Sequence, residues 1–270
     1  MKKMNIILIT LAAIALAAIL ALATGRKSQS KVTSSNAMES DTRGADKPVM
    51  PTAAANNSLS GKVYNLIILD ESGSMYSVWK PALDGANETI QTIRSTQEAH
   101  PEQRQFLTFV SFSDKGGDRF RVLVDNSPIE TVKQLTTEDY VPSGNTPLWD
   151  AMGYSLSKLE QTVKDEDLVL VTIITDGYEN ASREYSGASI KSLVERLSAK
   201  DWAFAYIGAN QDAIEVAGHM GIHNALNFDA DQQGTREMWR KEKSSRERYY
   251  SRGRLGTAKE RLKEDYFSED

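Results

Sequence analysis

Two strongly apolar runs in this chain each stop on an aspartate: Ile67-Ile68-Leu69-Asp70 and Ile173-Ile174-Thr175-Asp176. The first continues Glu71-Ser72-Gly73-Ser74-Met75, so Asp70, Ser72 and Ser74 alternate along one tight turn. A carboxylate and two hydroxyls at alternate positions of an extended turn can point the same way and converge on a small cation. Asp176 offers a second carboxylate and is followed by Gly177, where a sharp turn is easy. Between the two runs, Ser143-Gly144-Asn145-Thr146-Pro147 puts a free hydroxyl just ahead of an expected helix start. The five candidate ligands, Asp70, Ser72, Ser74, Thr146 and Asp176, are all oxygen donors. That set suits hard Mg²⁺ or Mn²⁺ and not zinc.

The elements that must position these residues follow from hydrophobic periodicity. Val63 to Leu69 is near-continuously apolar, as expected of a strand buried on both faces of a parallel sheet. Tyr76 to Glu98 reads as a long helix whose regular part begins near Pro81, with Leu83, Ala86, Ile90 and Ile93 at three- and four-residue spacing. Phe106 to Phe112 is a second strand, and Lys115-Gly116-Gly117-Asp118 turns the chain back into an antiparallel strand over Arg119 to Val124. Ile129 to Leu135 is expected as a short helix. Pro147 to Val163 is a helix with proline in its first turn, where it is tolerated. Strands over Asp167–Thr175, Trp202–Ile207 and Ala225–Phe228 alternate with helices over Ala188–Leu197 and Gln211–Ala217. This alternation predicts an α/β fold: a doubly wound, mostly parallel sheet with one antiparallel edge strand and helices on both faces. In such sheets ligands bind at the carboxyl ends of strands, which is where Asp70 and Asp176 fall.

The D-x-S-x-S turn at Asp70, Ser72 and Ser74, the loop threonine Thr146 and the Thr175-Asp176-Gly177 strand end resemble the von Willebrand factor A-type domain with its metal-ion-dependent adhesion site. The stretch Gly144-Asn145-Thr146-Pro147-Leu148-Trp149-Asp150-Ala151 is similar to that family's G-x-T-P-L-x-D-A loop. The resemblance spans roughly Lys62 to Phe228. It implies that hydroxyls bind the cation directly while one or both aspartates act largely through bound waters. The metal then stays electrophilic, and an Asp or Glu of a partner protein completes its shell. Glu71, Glu179 and Asn180 lie nearby in sequence and are expected on the rim without a ligand role.

The 270 residues divide unevenly. Met1-Lys2-Lys3 precedes an apolar run from Ile6 to Ala23. As a helix that run reaches roughly 27 Å, about one hydrocarbon core. Residues 1–25 are therefore expected to be a signal anchor or a cleaved signal peptide, Ala21-Leu22-Ala23 being an A-x-A-like site. Either fate predicts export, with the domain on the non-cytoplasmic side of the membrane or released from it. Residues 26–60, rich in Ser, Thr, Asn and Ala, read as a flexible linker. Residues 61–230 form the expected domain, and 231–270 a C-terminal helix and tail ending in a frayed acidic stretch over Leu262–Asp270. The chain has no cysteine, which removes disulfides, thiolate chemistry and a lipid-modified cysteine. Lys and Arg total 32 against 37 Asp and Glu, and a net acidic balance argues against a dedicated nucleic-acid binder.

Other constellations carry less. Asp229-Ala230-Asp231-Gln232-Gln233-Gly234 starts like an EF-hand loop, but its twelfth position is Arg240, where a bidentate glutamate is needed. His219 and His223 are four apart with Gly221 between them and no accompanying glutamate, so a surface role is expected. Arg236 to Arg254 carries eight basic and three acidic residues. It reads either as a patch for anionic partners or as the solvated face of a helix packed through Met238 and Trp239. The functional expectation is a non-enzymatic, membrane-tethered or exported protein-binding domain using Mg²⁺ or Mn²⁺. A scaffold subunit of a multi-protein complex is one alternative. A metal-dependent phosphohydrolase with Asp70 as nucleophile is the other, weakened because Ser72 stands where such an enzyme needs a second aspartate.

Overall fold

Leu66, Ile67, Ile68 and Leu69 leave the first strand without a polar face, and the structure sets that strand in the middle of a sheet. The computed structural model describes residues 61–209, 212–254 and 266–268. The leader and linker expected over residues 1–60 lie outside them. Among the described residues no helix is long and apolar enough to cross a membrane.

Six strands, β1 (Lys62–Asp70), β2 (Arg104–Phe112), β3 (Phe120–Pro128), β4 (Leu168–Thr175), β5 (Ala203–Ala209) and β6 (Asn224–Phe228), form one sheet in the order β3-β2-β1-β4-β5-β6. All neighbours are parallel except β2 and β3, so the antiparallel strand is an edge, as the Lys115–Asp118 turn predicts. The sheet is covered on both faces. On one face lie α1 (Trp79–Ala99) and α5 (Gln232–Arg254), packed on Val63, Ile67, Leu69, Leu170 and Ile174. On the other lie α2 (Leu148–Glu160), α3 (Gly187–Ser198) and α4 (Ala213–His219), packed on Leu66, Ile68, Val171 and Ile173. The period-two alternation of β1 and β4 thus feeds two separate cores.

Three expectations need correction. The Tyr76 helix is preceded by a 3₁₀ segment, Gly73–Val78, and α1 proper starts at Trp79. Ile129 to Leu135 is not a helix: only Ile129–Thr131 makes a 3₁₀ turn, and the backbone is extended at Val132. Side chains of α1 take the polar groups that a helix would have used. Asn87 Oδ1 accepts from Leu135 N (2.7 Å), Asn87 Nδ2 donates to Leu135 O (2.9 Å), and Arg94 donates to Val132 O. The basic C-terminal segment is a helix packed through Met238 and Trp239, the second of its two expected readings, but it is buried further than that reading allowed. Met238 and Trp239 are buried, Trp239 lying where any Cβ on Gly85 would collide at 2.2 Å, so that glycine permits the α1–α5 contact. Tyr249, Tyr250 and Tyr266 are buried too, which takes the aromatics out of any exposed basic patch and puts part of the expected frayed end into the core. Asp231, from the rejected EF-hand stretch, instead caps α5 by accepting Gly234 N at 2.7 Å.

Arg246 of α5 is fully buried beside an equally buried Glu242. Its guanidinium donates to Glu242 Oε1 (2.8 Å), to Asn65 Oδ1 on β1 (2.9 Å) and to Thr172 Oγ1 on β4 (2.8 Å). Tyr266 Oη donates to the same glutamate oxygen at 3.1 Å. The network clamps α5 across the two central strands.

Candidate metal centre

β1 and β4 are adjacent in space, with Leu69 opposite Ile174, although β1 leads onward in sequence to β2 on its other side. The connections leaving β1 and β4 therefore part at this point and open a crevice above the strand ends. Asp70 is the last residue of β1, and Asp176 follows the last residue of β4.

Backbone hydrogen bonds stitch three loops into that crevice. Gly73 N donates to Gly144 O (3.0 Å), Ser143 N to Glu71 O (2.8 Å) and Asn180 N to Thr146 O (3.1 Å). Asn180 Oδ1 returns the favour by accepting Thr146 N at 2.8 Å. Gly144 holds the middle loop in the left-handed region at φ +81°, where side chains are strained. Asp114 braces the loop by accepting from Asn145 N and Nδ2 at 2.6 and 2.8 Å.

The five sequence-selected oxygens meet here. Ser74 Oγ donates to Asp176 Oδ1 at 2.6 Å and lies 3.1 Å from Ser72 Oγ. Asp70 Oδ1 accepts Ser72 N at 2.7 Å, and Oδ2 accepts Thr175 Oγ1 at 2.6 Å. Thr146 Oγ1 and Ser74 Oγ flank Gly177 closely; a Cβ built there would stand 3.7 and 3.8 Å from them. Asp70, Ser72, Thr146 and Asp176 are buried while Ser74 is exposed, so the cluster has a protected base and an open top.

The electrostatics of the cluster match a cation's needs. Burial pushes the Asp70 carboxyl up to about 6, against the lowering hydrogen bonds from Thr175 and Ser72, and the Asp176 charge adds to the rise. Burial likewise raises Asp176, opposed by the Ser74 bond. No basic side chain among the described residues forms an ion pair with Asp70. Nowhere among them do three or more His, Cys, Asp or Glu side chains group as metal ligands. A site here must draw on hydroxyls, and the donor set of two carboxylates and three hydroxyls fits a hard divalent cation.

Several residues that shape the site escaped sequence reasoning. Glu71, expected on the rim, is buried: Arg121 grips both its oxygens (2.7 and 2.8 Å) and Val141 N donates to it at 2.8 Å. Glu179 is spent on the loop itself, accepting from Trp149 N, Ala181 N, Ser182 N and Ser182 Oγ. Thr175 entered the sequence reading as the end of an apolar run and the first residue of the Thr175-Asp176-Gly177 turn, without a role; in the structure its hydroxyl fixes Asp70. Asp150 accepts three successive backbone N–H groups, from Arg183, Glu184 and Tyr185, at 2.8–2.9 Å, and pairs with Arg119 at 3.0 Å. In the sequence it stood only as a member of the G-x-T-P-L-x-D-A-like stretch, with no role given to it. His219 and His223 are both exposed, as expected.

No family profile matches the chain, and no curated protein matches it in sequence. Among solved structures it is similar to a variant of the PilB minor pilin from Streptococcus sanguinis, with a TM-score of 0.50 and 11% identity over 77% of this chain. It is similar to the pilus adhesin SpaC from Lactobacillus rhamnosus GG, with a TM-score of 0.50 and 8% identity over 68% of this chain. The SpRpn10 VWA domain also matches, with a TM-score of 0.45 and 12% identity, covering 65% of this chain and 92% of that one. The chain spans 65% of the minor pilin's length and 30% of the adhesin's. At these identities the likeness is one of fold: a six-stranded, mostly parallel α/β sheet with its helices on both faces.

Proposed function

We propose that this chain is a protein-interaction domain that holds Mg²⁺ or Mn²⁺ through Asp70, Ser72, Ser74, Thr146 and Asp176. The observation that carries the reading is the Ser72–Ser74–Asp176 chain of contacts at the strand-order switch, with Thr146 beside it. When bound, the cation supplies a Lewis-acidic position for an Asp or Glu side chain of a partner protein. Asp70 and Thr175 fix the base of the site, and exposed Ser74 faces the partner.

The surroundings favour a protein face over a small anion. Tyr76, Val141 and Tyr178 each lie within two residues of a site residue or its loop, and they are 70%, 43% and 59% exposed. Large apolar groups left in water around a polar centre mark interaction surfaces. The phosphohydrolase alternative fares worse: both Asp70 oxygens are engaged by Ser72 N and Thr175 Oγ1, and Ser72 occupies the second acidic position. A scaffold role remains compatible with the same surface. A pilus adhesin and a minor pilin among the similar folds support a surface-exposed protein, in keeping with the export expected from residues 1–25.

The test uses the full chain. Mn²⁺ should bind weakly by calorimetry, because few charges contact the ion directly, and Asp70→Ala and Asp176→Ala should each abolish binding. A partner captured from a cell-envelope extract should be released by EDTA and recovered on adding Mg²⁺, and Thr146→Ala should capture less of it. Unchanged Mn²⁺ affinity in both aspartate variants overturns the metal reading. Capture that ignores EDTA and Thr146→Ala overturns the metal-bridged mechanism.

A further inference from the structure

The sheet ends at β6, and among the described residues no strand lies on its outer side. Leu226, Asn227 and Phe228 make no main-chain hydrogen bond on that side to any described residue. A groove of about 490 Å³ follows this edge, and its wall includes the four consecutive residues 226–229. Side chains of a strand alternate between faces, so a space that touches four residues in a row runs beside the backbone. The groove therefore opens onto the outer N–H and C=O groups of β6, a template for a further strand.

The opposite wall is one flank of α5. Gly234, Glu237, Lys241, Ser244 and Arg248 line it at three- and four-residue spacing. That stripe is roughly 21 Å long, the span of about six extended residues. Most of the flank is basic. Arg240, Lys241 and Arg248 all line the groove, whereas the ion pairs of α5 among the described residues use Lys243 and Arg246. The Arg248 guanidinium donates only to hydroxyls, Ser244 Oγ at 2.8 Å and Ser245 Oγ at 3.0 Å. The carboxylates of the lining, Asp229 and Glu237, sit where β6 hands over to α5, and Glu237 already accepts the Gln233 amide at 2.9 Å.

This charge selects among occupants. Two-fold pairing of β6 with a second copy of itself would set two basic α5 flanks side by side, which repel. An extended segment carrying carboxylates meets the same flank with complementary charge. We propose that β6 and α5 bind an acid-rich, extended segment of a partner protein, which joins the sheet as a seventh strand while its carboxylates pair with Arg240, Lys241 and Arg248. Main-chain bonds to β6 supply affinity, and the basic flank selects the sequence. The surface shares no residue with the candidate metal centre, so the proposal is independent of the cation.

The test is a fluorescence-anisotropy titration of the full chain in EDTA with a labelled acidic hexapeptide, Glu-Val-Glu-Val-Glu-Val, blocked at its C-terminus. Its comparisons are the same peptide with lysine for glutamate, two forms N-methylated at alternate residues in opposite phase, and a hexathymidylate oligonucleotide. The acidic peptide should bind saturably and slow amide hydrogen exchange at residues 226–228. The lysine peptide, the oligonucleotide and one N-methylated phase should each bind at least tenfold more weakly, because a strand presents alternate N–H groups to its neighbour. Arg240→Glu with Lys241→Glu, at positions outside the core, should weaken the acidic peptide at least tenfold and leave the melting temperature unchanged. Absence of saturable binding overturns the proposal. So does an oligonucleotide that binds as well as the peptide, undiminished affinity in both N-methylated forms, or full affinity after the charge reversal.

Discussion

Thr175 Oγ1 donates to Asp70 Oδ2 at 2.6 Å, tying together the carboxyl ends of two strands that are 105 residues apart in sequence. The bond opposes the burial that pushes Asp70 up to about 6. Thr175→Val keeps the shape and removes the donor. It should destabilise the fold by about 1–3 kcal/mol, the cost of a buried acceptor left unmatched. It should also weaken Mn²⁺ binding severalfold, because Asp70 loses its orientation. Urea unfolding and calorimetry on the same variant read the two effects. A variant as stable as wild type with unchanged Mn²⁺ affinity denies the bond both roles.

Asp150 gives a prediction with a defined pH sign. Burial raises its carboxyl, but the N–H groups of Arg183, Tyr185 and Glu184 and the Arg119 charge outweigh burial and leave it below its ordinary value of 3.8. A carboxylate lowered in the folded state contributes stability that is present above the unfolded value and lost as pH falls through the folded one. Asp150→Asn should therefore cost about 2–3 kcal/mol at pH 7. The gap to wild type should narrow as pH drops below about 4. Thermal melts across pH 3–7 decide it; a gap that stays constant contradicts the assignment.

The buried Arg246–Glu242 pair predicts a strong non-additivity. Arg246→Met alone strands Glu242 in the core and should cost about 3–5 kcal/mol. Adding Glu242→Leu removes the orphaned charge and should recover most of that loss, though Thr172 Oγ1 then lacks the Arg246 donor, while Asn65 Oδ1 keeps Tyr250 Oη. A double variant that loses as much as the sum of the singles would falsify the coupling.

Under the proposed function, the exposed rim should separate metal binding from partner binding. Tyr76→Ser combined with Tyr178→Ser should leave Mn²⁺ affinity within about twofold, because neither side chain is a ligand. Each removes apolar contact area worth about 25 cal/mol per Å² at an interface, so partner capture should fall at least fivefold. Capture undiminished by the double substitution assigns the recognition elsewhere.

How much of this could be seen in the sequence depended on whether the cause was local. The β1 and β4 runs and the loop around Thr146 were legible because burial on two faces and strand-end turns leave marks within a few residues. Glu71 was misplaced because its partner Arg121 is 50 residues away and nothing near either announces the pair. The Ile129–Leu135 stretch failed because α1 side chains, not periodicity, decide where its backbone groups go. The α5 network was hidden by composition: eight basic residues in a row of charges look solvated, and only tertiary contact buries one of them. Yet a signal existed. Asn65 and Thr172 interrupt the two most apolar strands and point to the same face, so whatever covers that face had to bring a polar group.

The central placement of β1 against β4 bears on how the molecule comes into being. Ser74 and Asp176 are 102 residues apart, so their meeting waits on the closure of a long loop. Contacts of that span come late, after the more local β2–β3 hairpin. A half-folded chain offers the cation two disconnected fragments of a site, and a ligand that binds only the finished state stabilises that state alone. Stopped-flow refolding should then run at the same rate with Mn²⁺ or with EDTA, while unfolding slows in Mn²⁺. On the proposed reading the ion is a latch dropped after the door has closed, and it would govern how long the folded protein lasts once it has formed.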